Sequence, residues 1–207
     1  MSWREKWQRR YAAGEDLFGT APNAFLVSQA WRLPPGARVL CAAEGEGRNA
    51  VWLARQGHRV TAVDFAPLAL DRAAARARAA GVAIDCIEAD LARWAWPARA
   101  FDAVLLAFLQ VTADERAPIH AGAAAALARG GLLLLEAFAR GARLSCGPPT
   151  DAARYDAAML AADFAALDII ELLSGTVLLA EGEGHRGPAT VVRLVARACY
   201  STGAARS

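Results

Sequence analysis

Apolar residues in this chain fall in short runs, separated by longer stretches where they return every three or four positions. ARVLCAA at 37–43 has the look of a buried strand, and residues 48–56 read as a helix closed by Gly57. HRVTAVD (58–64) is a second strand, and PLALDRAAARARAAG (67–81) a long Ala/Arg helix stopped at Gly81. VAIDCIEAD (82–90) and FDAVLLAF (101–108) are strands three and four. APIHAGAAAALARGG (117–131) is a helix that delivers a fifth strand, LLLLEAF (132–138). Apolar strands alternating with helices need crossover connections, which predicts an α/β domain with a parallel sheet covered by helices on both faces.

The two ends of the chain break the rhythm. An aromatic-rich segment (Trp3, Trp7, Tyr11, Phe18, Phe25, Trp31) runs up to the Pro34–Pro35–Gly36 stop. After CGPPTDAARYDAAMLAADFAALD, a loop followed by a helix, two long apolar runs (IIELLSGTVLLAEG and PATVVRLVARA) flank the polar turn EGEGHRG, which predicts an antiparallel hairpin at the sheet edge. We therefore expect one domain over 1–207, with 1–31 as an N-terminal lid and 168–199 as the hairpin region; the tail CYSTGAARS reads as frayed.

Composition adds exclusions. With 56% hydrophobic and 21% charged residues the chain can build a core, and a net charge of +2 makes no polyanion-binding surface. Of 23 basic residues only Lys6 is a lysine. Cys41, Cys86, Cys146 and Cys199 show no CxxC pairing and no zinc spacing, so we expect mostly buried free thiols and no metal. The first residues lack the apolar stretch of a signal peptide, and no run is long enough for a membrane span, so a cytoplasmic protein is expected.

The chemistry concentrates in CAAEGEGRNA at 41–50. Gly45, Gly47 and Ala50 have the G-x-G-x-x-G/A spacing that joins a strand to a helix in nucleotide-binding folds, and Asp64 ends the next strand, where a carboxylate can accept from ribose hydroxyls. Two ligands suit that arrangement: a dinucleotide such as NAD, or S-adenosylmethionine. A pyrophosphate would meet Glu44 and Glu46 with only Arg48 to offset them, whereas a sulfonium and an ammonium suit acids. Asp90 ends strand three beside the same crevice and can accept from an adenine amino group, with the Leu91 amide donating to the ring. Turn-capping roles for Asp64 and Asp90 are the plain structural alternatives.

VLCAAEGEGRNAVWLARQGHRVTAVDFAPLAL, EADL, FDAVLLAF, ALARGGLLLLEAF and LLAEGEGHRGPATVVRLVAR together resemble a class I S-adenosylmethionine-dependent methyltransferase over nearly the whole chain. The likeness is strongest to the small-molecule branch of tellurite-resistance and thiopurine-type enzymes. It implies a Rossmann-like seven-stranded sheet of order 3-2-1-4-5-7-6 with strand seven antiparallel, and S-adenosyl-L-methionine as cofactor. By that resemblance Glu44, Gly45, Glu46 and Gly47 would line the methionine part, with Arg48 and Asn49 starting the helix beneath. Asp64 and Phe65 would lie at the ribose, Asp90 and Leu91 at the adenine, and Ala107 and Phe108 beside the methyl-transfer site. Trp7, Tyr11, Phe18 and Asn23 would close the entrance. Two departures stand out: Cys41 replaces an acid common in the first motif, and AFLQ replaces the Asn/Asp-Pro-Pro-aromatic signature of enzymes that methylate amino groups of bases. The second argues against nucleic acid and for a small soft nucleophile such as a thiol or a selenium or tellurium oxyanion.

Methyl transfer from a sulfonium needs positioning and desolvation more than a strong base. His120, Arg116 and Tyr11 are the candidate catalytic side chains, and His185, in the hairpin turn, is expected to be structural. A non-catalytic cofactor sensor or assembly protein, and an NAD-linked oxidoreductase, are the rival readings. The oligomeric state is not legible.

Overall fold

The computed structural model describes residues 3–14, 16–141, 144 and 146–199; the expected frayed tail lies outside them from residue 200 on. Seven strands form one sheet: β1 (Arg38–Ala42), β2 (Arg59–Asp64), β3 (Asp85–Glu88), β4 (Phe101–Ala107), β5 (Leu127–Phe138), β6 (Leu167–Glu181) and β7 (His185–Ala198). Their order is β3-β2-β1-β4-β5-β7-β6. The first five run parallel, and β7 is antiparallel to both β5 and β6. This is the expected topology.

The helices are α1 (Trp3–Ala13), α2 (Ala24–Gln29), α3 (Arg48–Arg55), α4 (Pro67–Ala79), α5 (Ala113–Ala126) and α6 (Ala157–Asp163). Alternate strand positions feed two apolar layers. Val39, Cys41, Ala103, Leu105, Leu132 and Leu134 meet Phe25 and Leu26 of α2 and Ala50 and Leu53 of α3. Leu40, Val104, Leu106, Leu133 and Leu135 meet Ile119 and Ala123 of α5 and Leu160 of α6. Period-2 alternation within runs apolar on both faces is what a doubly covered sheet requires.

Two boundaries differ from expectation. Helix α5 starts four residues before Ala117 because Thr112 and Glu115 form a reciprocal capping box, a stronger start signal than Pro118 inside the helix. It also ends at Ala126, and LARGG joins β5. Strand three shrinks to Asp85–Glu88, all exposed, since little covers the outer edge. Among the described residues no helix is long and apolar enough to cross a membrane.

Candidate active site

The parallel strands end on one side of the sheet, and between β1 and β4 the strand order reverses. Open α/β sheets place their ligands at such a switch point. A pocket lies there, lined by the loops after β1 (Ala43 to Glu46), β2 (Asp64, Phe65), β3 (Asp90, Leu91) and β4 (Ala107 to Val111). Trp7, Tyr11 and Phe18 from the N-terminal segment and His185 from β7 complete the wall.

The loop after β1 gives the first decisive geometry. Glu44 is buried, and its Oε1 accepts from the backbone amides of Asn49 and Ala50, both at 2.8 Å, while Oε2 accepts from the Asn49 side-chain amide at 3.2 Å. Burial pushes its pKa up, against the pull of these donors and of Arg48. The amides at the start of α3, where a pyrophosphate would sit, are thus occupied by the protein's own carboxylate. Glu46 is equally committed, to Arg72 Nη1 at 2.8 Å and the Leu17 amide at 3.3 Å. Glu44 thus disfavours a phosphate by filling its seat, and Glu46 is held by partners of its own rather than facing the ligand as free charge. Cys41 is fully buried in the apolar layer of α2 and α3, so the carboxylate that anchors this loop comes from Glu44.

Asp64 is 3% exposed and lines the pocket. Its Oδ2 accepts from the Gly45 amide at 2.8 Å and its Oδ1 from the Ala66 amide at 2.9 Å, while burial pushes its pKa up against these bonds. Gly45 has φ +64°, and a Cβ there would lie 2.7 Å from the Tyr11 hydroxyl, so glycine admits the ring. Burial, then the charges of Asp64, Glu46 and Glu44, push the Tyr11 phenol above its ordinary pKa; it stays protonated, a donor among acids. Asp90 pairs with Arg4 of α1 (Oδ1 to Nη2, 2.6 Å). Burial raises its pKa, but Arg4, the Ala92 amide and Arg93 outweigh that and leave it lowered.

Two residues of the pocket wall have strained backbone. Ala43 and Phe108 both line the pocket with φ near the left-handed region, +55° and +53°, without being glycine. Each such residue costs on the order of 1–3 kcal/mol and tends to collect at functional sites. The Phe108 ring lies 4.4 Å from the His185 ring and 4.8 Å from Phe138. His185 also contacts Phe18, at 4.4 Å. Its Nδ1 faces Glu181 Oε2 at 3.6 Å, beyond hydrogen-bond reach. Burial lowers its pKa against the neighbouring carboxylate, so the imidazole is neutral.

Known proteins bear on this pocket. A family model described as a methyltransferase domain matches residues 39–131, which hold β1 to the start of β5 and most of the pocket wall. The chain has the class I methyltransferase fold. A thiopurine S-methyltransferase of Bordetella petrii is 37% identical over 71 residues, covering 33% of this chain and 32% of that protein. The match thus spans about a third of the length of such curated relatives. A structure solved in work on the conversion of a disulfide bond into a thioacetal group during echinomycin biosynthesis superposes with a TM-score of 0.75 at 20% identity, covering 98% of this chain and 95% of the other. The Burkholderia thailandensis 1,6-didemethyltoxoflavin-N1-methyltransferase, solved with S-adenosylhomocysteine, gives 0.68 at 22% identity, covering 95% and 87%.

Within this methyltransferase fold the residues expected at the cofactor line the pocket with one exception. Gly47 does not: its Cβ would fall 2.7 Å from the Ala73 Cβ, so with φ +85° it serves close packing of α3 on α4. Asn23 is fully buried behind the wall, not at the entrance; it caps α2 and donates to Glu136 at 2.6 Å and Glu181 at 3.2 Å. His120 and Arg116 are not in the wall either. Both bind Asp163 of α6, through Nδ1 at 2.8 Å and Nε at 2.9 Å, because α5 turns these positions towards α6. His185, remote from the crevice in sequence order, stands in its wall. An antiparallel last strand begins where the parallel strands end, so the first residue of β7 returns to the crevice. That consequence was available from the predicted hairpin.

Proposed function

We propose that this protein transfers a methyl group from S-adenosylmethionine to a small, uncharged, soft nucleophile, a thiol above all. The observation that carries the reading is Glu44 across the α3 amides: the crevice keeps acids at the ribose and adenine positions and has no seat for a phosphate. The acceptors fit the cofactor, with Asp64 to accept from ribose hydroxyls and Asp90 from an adenine amino group. When bound, the cofactor supplies a methyl already activated on a sulfonium. The chain's own part is enclosure by Phe18, Phe108, Leu109 and Val111, which excludes water from the acceptor.

The cations near that wall are spent internally, Arg4 on Asp90 and Glu115 and Arg48 on Glu181. An oxyanion such as tellurite gains little there, which favours the thiol. In this reading His185, in the pocket wall, takes the thiol proton, and the nearby Glu181 carboxylate balances the imidazolium. Calorimetry is expected to show S-adenosylhomocysteine binding and no NADH binding, followed by methyl transfer to members of a thiol panel. Binding without transfer would leave a cofactor sensor, and NADH binding would end the reading.

The role of His185 has its own test. Since its pKa is lowered, acidification into and below the ordinary imidazole range of about 6.5 protonates it and is expected to depress kcat/KM. His185→Gln is expected to slow alkyl thiols, protonated at neutral pH, far more than an aromatic thiol already ionised. Equal losses on both would remove His185 as proton acceptor.

The N-terminal segment acts as a lid in this reading. Arg4 ties α1 to Asp90 and Glu115, and Arg72 of α4 donates to the carbonyls of Tyr11 and Gly14 at 2.9 and 2.8 Å. Limited proteolysis within 1–31 is expected to slow when S-adenosylhomocysteine is added; an unchanged cleavage rate counts against a lid.

A further inference from the structure

The outermost strand presents an unusual edge. β6 is 15 residues long and, among the described residues, pairs only with β7, so one row of its backbone N–H and C=O groups has no strand beside it. Edge strands of soluble proteins are normally short, interrupted by proline or studded with lysine. Here 172–180 reads LLSGTVLLA, without a charge or a proline. Leu173 is 61% exposed and Leu178 79%. The one irregularity, a register shift between Ile169 and Glu171, lies before this stretch and leaves it regular.

The stretch is also close to a palindrome about Gly175. An antiparallel second copy with the two-fold axis through Gly175 sets Leu172 opposite Leu178, Leu173 opposite Val177 and Ser174 opposite Thr176. Residues directly opposite share a face, so apolar meets apolar and hydroxyl meets hydroxyl on both sides of the joined sheet. In this register Glu171 lies opposite Leu179, and its carboxylate is already held by Arg32, so no two like charges meet. The neighbouring two-fold registers are worse: an axis at Thr176 puts Glu171 opposite Glu181, and one at Ser174 puts Leu172 opposite Thr176 and Glu171 opposite Val177. The register is therefore specified. At the axis, a Cβ on Gly175 would meet nothing within 4 Å.

We propose that a second copy of this chain pairs along β6, antiparallel and with Gly175 on the two-fold axis, joining two sheets into one continuous sheet of fourteen strands. Nothing in this depends on the methyl-transfer reading, because the edge lies at the far end of the sheet from β1 and its loop.

Sedimentation of the full chain is expected to give twice the monomer mass. Leu173→Lys/Leu178→Lys is expected to give monomers whose thermal transition is kept, since both side chains are exposed in the single copy. A register test uses Gly175→Cys with the exposed Cys86 and Cys199 changed to serine. On the axis the two new thiols face each other within disulfide reach, and mild oxidation is expected to yield a covalent dimer. A parent chain that sediments as a monomer, or a dimer that survives the double lysine change, overturns the proposal. A dimer lost on the lysine change but never crosslinked through position 175 overturns the register.

Discussion

Replacing Arg48 by alanine is expected to lower the unfolding free energy by about 3–5 kcal/mol, the usual loss when one partner of a buried ion pair is removed. Arg48 Nη2 lies 2.7 Å from Glu181 Oε2, with side-chain exposures of only 9% and 7%. The same guanidinium donates to the Phe18 and Ala21 carbonyls at 3.2 and 3.5 Å, fastening the N-terminal segment. Without it, Glu181 shares Asn23 with Glu136 and keeps no arginine, whereas Glu136 keeps Arg193 at 2.7 Å. Arg48→Met/Glu181→Gln removes both charges and is expected to recover most of the loss. Urea denaturation of the two single variants and the double variant measures it, and a coupling energy under about 0.5 kcal/mol would show that the pair does not act as one. The effect should reach His185 as well. A Glu181 carboxylate freed of Arg48 favours the imidazolium, so any acidic limb of the rate profile should move to higher pH.

Replacing Asp64 is expected to separate affinity from stability. Asp64→Ala should weaken S-adenosylhomocysteine binding by about 1–3 kcal/mol, through lost charge-assisted bonds to ribose hydroxyls. The ligand-free fold should respond differently. Asp64 has a pKa raised by burial, so the folded state binds its proton more tightly than the unfolded chain. Stability then falls as pH rises through the window between the two pKa values, and at neutral pH the ionised carboxylate is a cost to folding. Asp64→Asn, which keeps an acceptor for one of the Gly45 and Ala66 amides, should hold or raise the melting temperature while losing affinity. Calorimetry and a thermal melt on one preparation decide it; unchanged affinity would end the ribose assignment. A lower melting temperature would show that the two amide bonds outweigh the buried charge.

The architecture was legible because it rests on local signals repeated many times. Seven apolar runs, the helices between them and the polar turn before His185 each carried their own periodicity, and the order of the elements left few ways to wind them. Asp64, Asp90 and the glycine loop were legible for a related reason: they sit at strand ends, and strand ends in a parallel sheet share one crevice. Boundaries were less so where two signals competed, as at α5, where the Thr112–Glu115 box overrode the proline. His120 shows the limit of nearness in sequence. Its neighbour Ile119 lines the pocket, but one step around a helix turns a side chain by about 100°, and that sends His120 to Asp163.

What the sequence determined by itself is the fold, its winding and the set of strand-end residues that meet at the crevice, since these follow from periodicities of two and about 3.6 and from chain order. What only the tertiary structure decided is how each charge is used. Glu44 looked like free charge for a cation and is the anchor of α3; Gly47 looked like a cofactor contact and is a contact between helices; His185 looked remote and stands in the wall. Side-chain partners depend on approaches between segments as much as 158 positions apart for Asn23 and Glu181 and more for Phe18 and His185, and a local pattern carries no record of such distances.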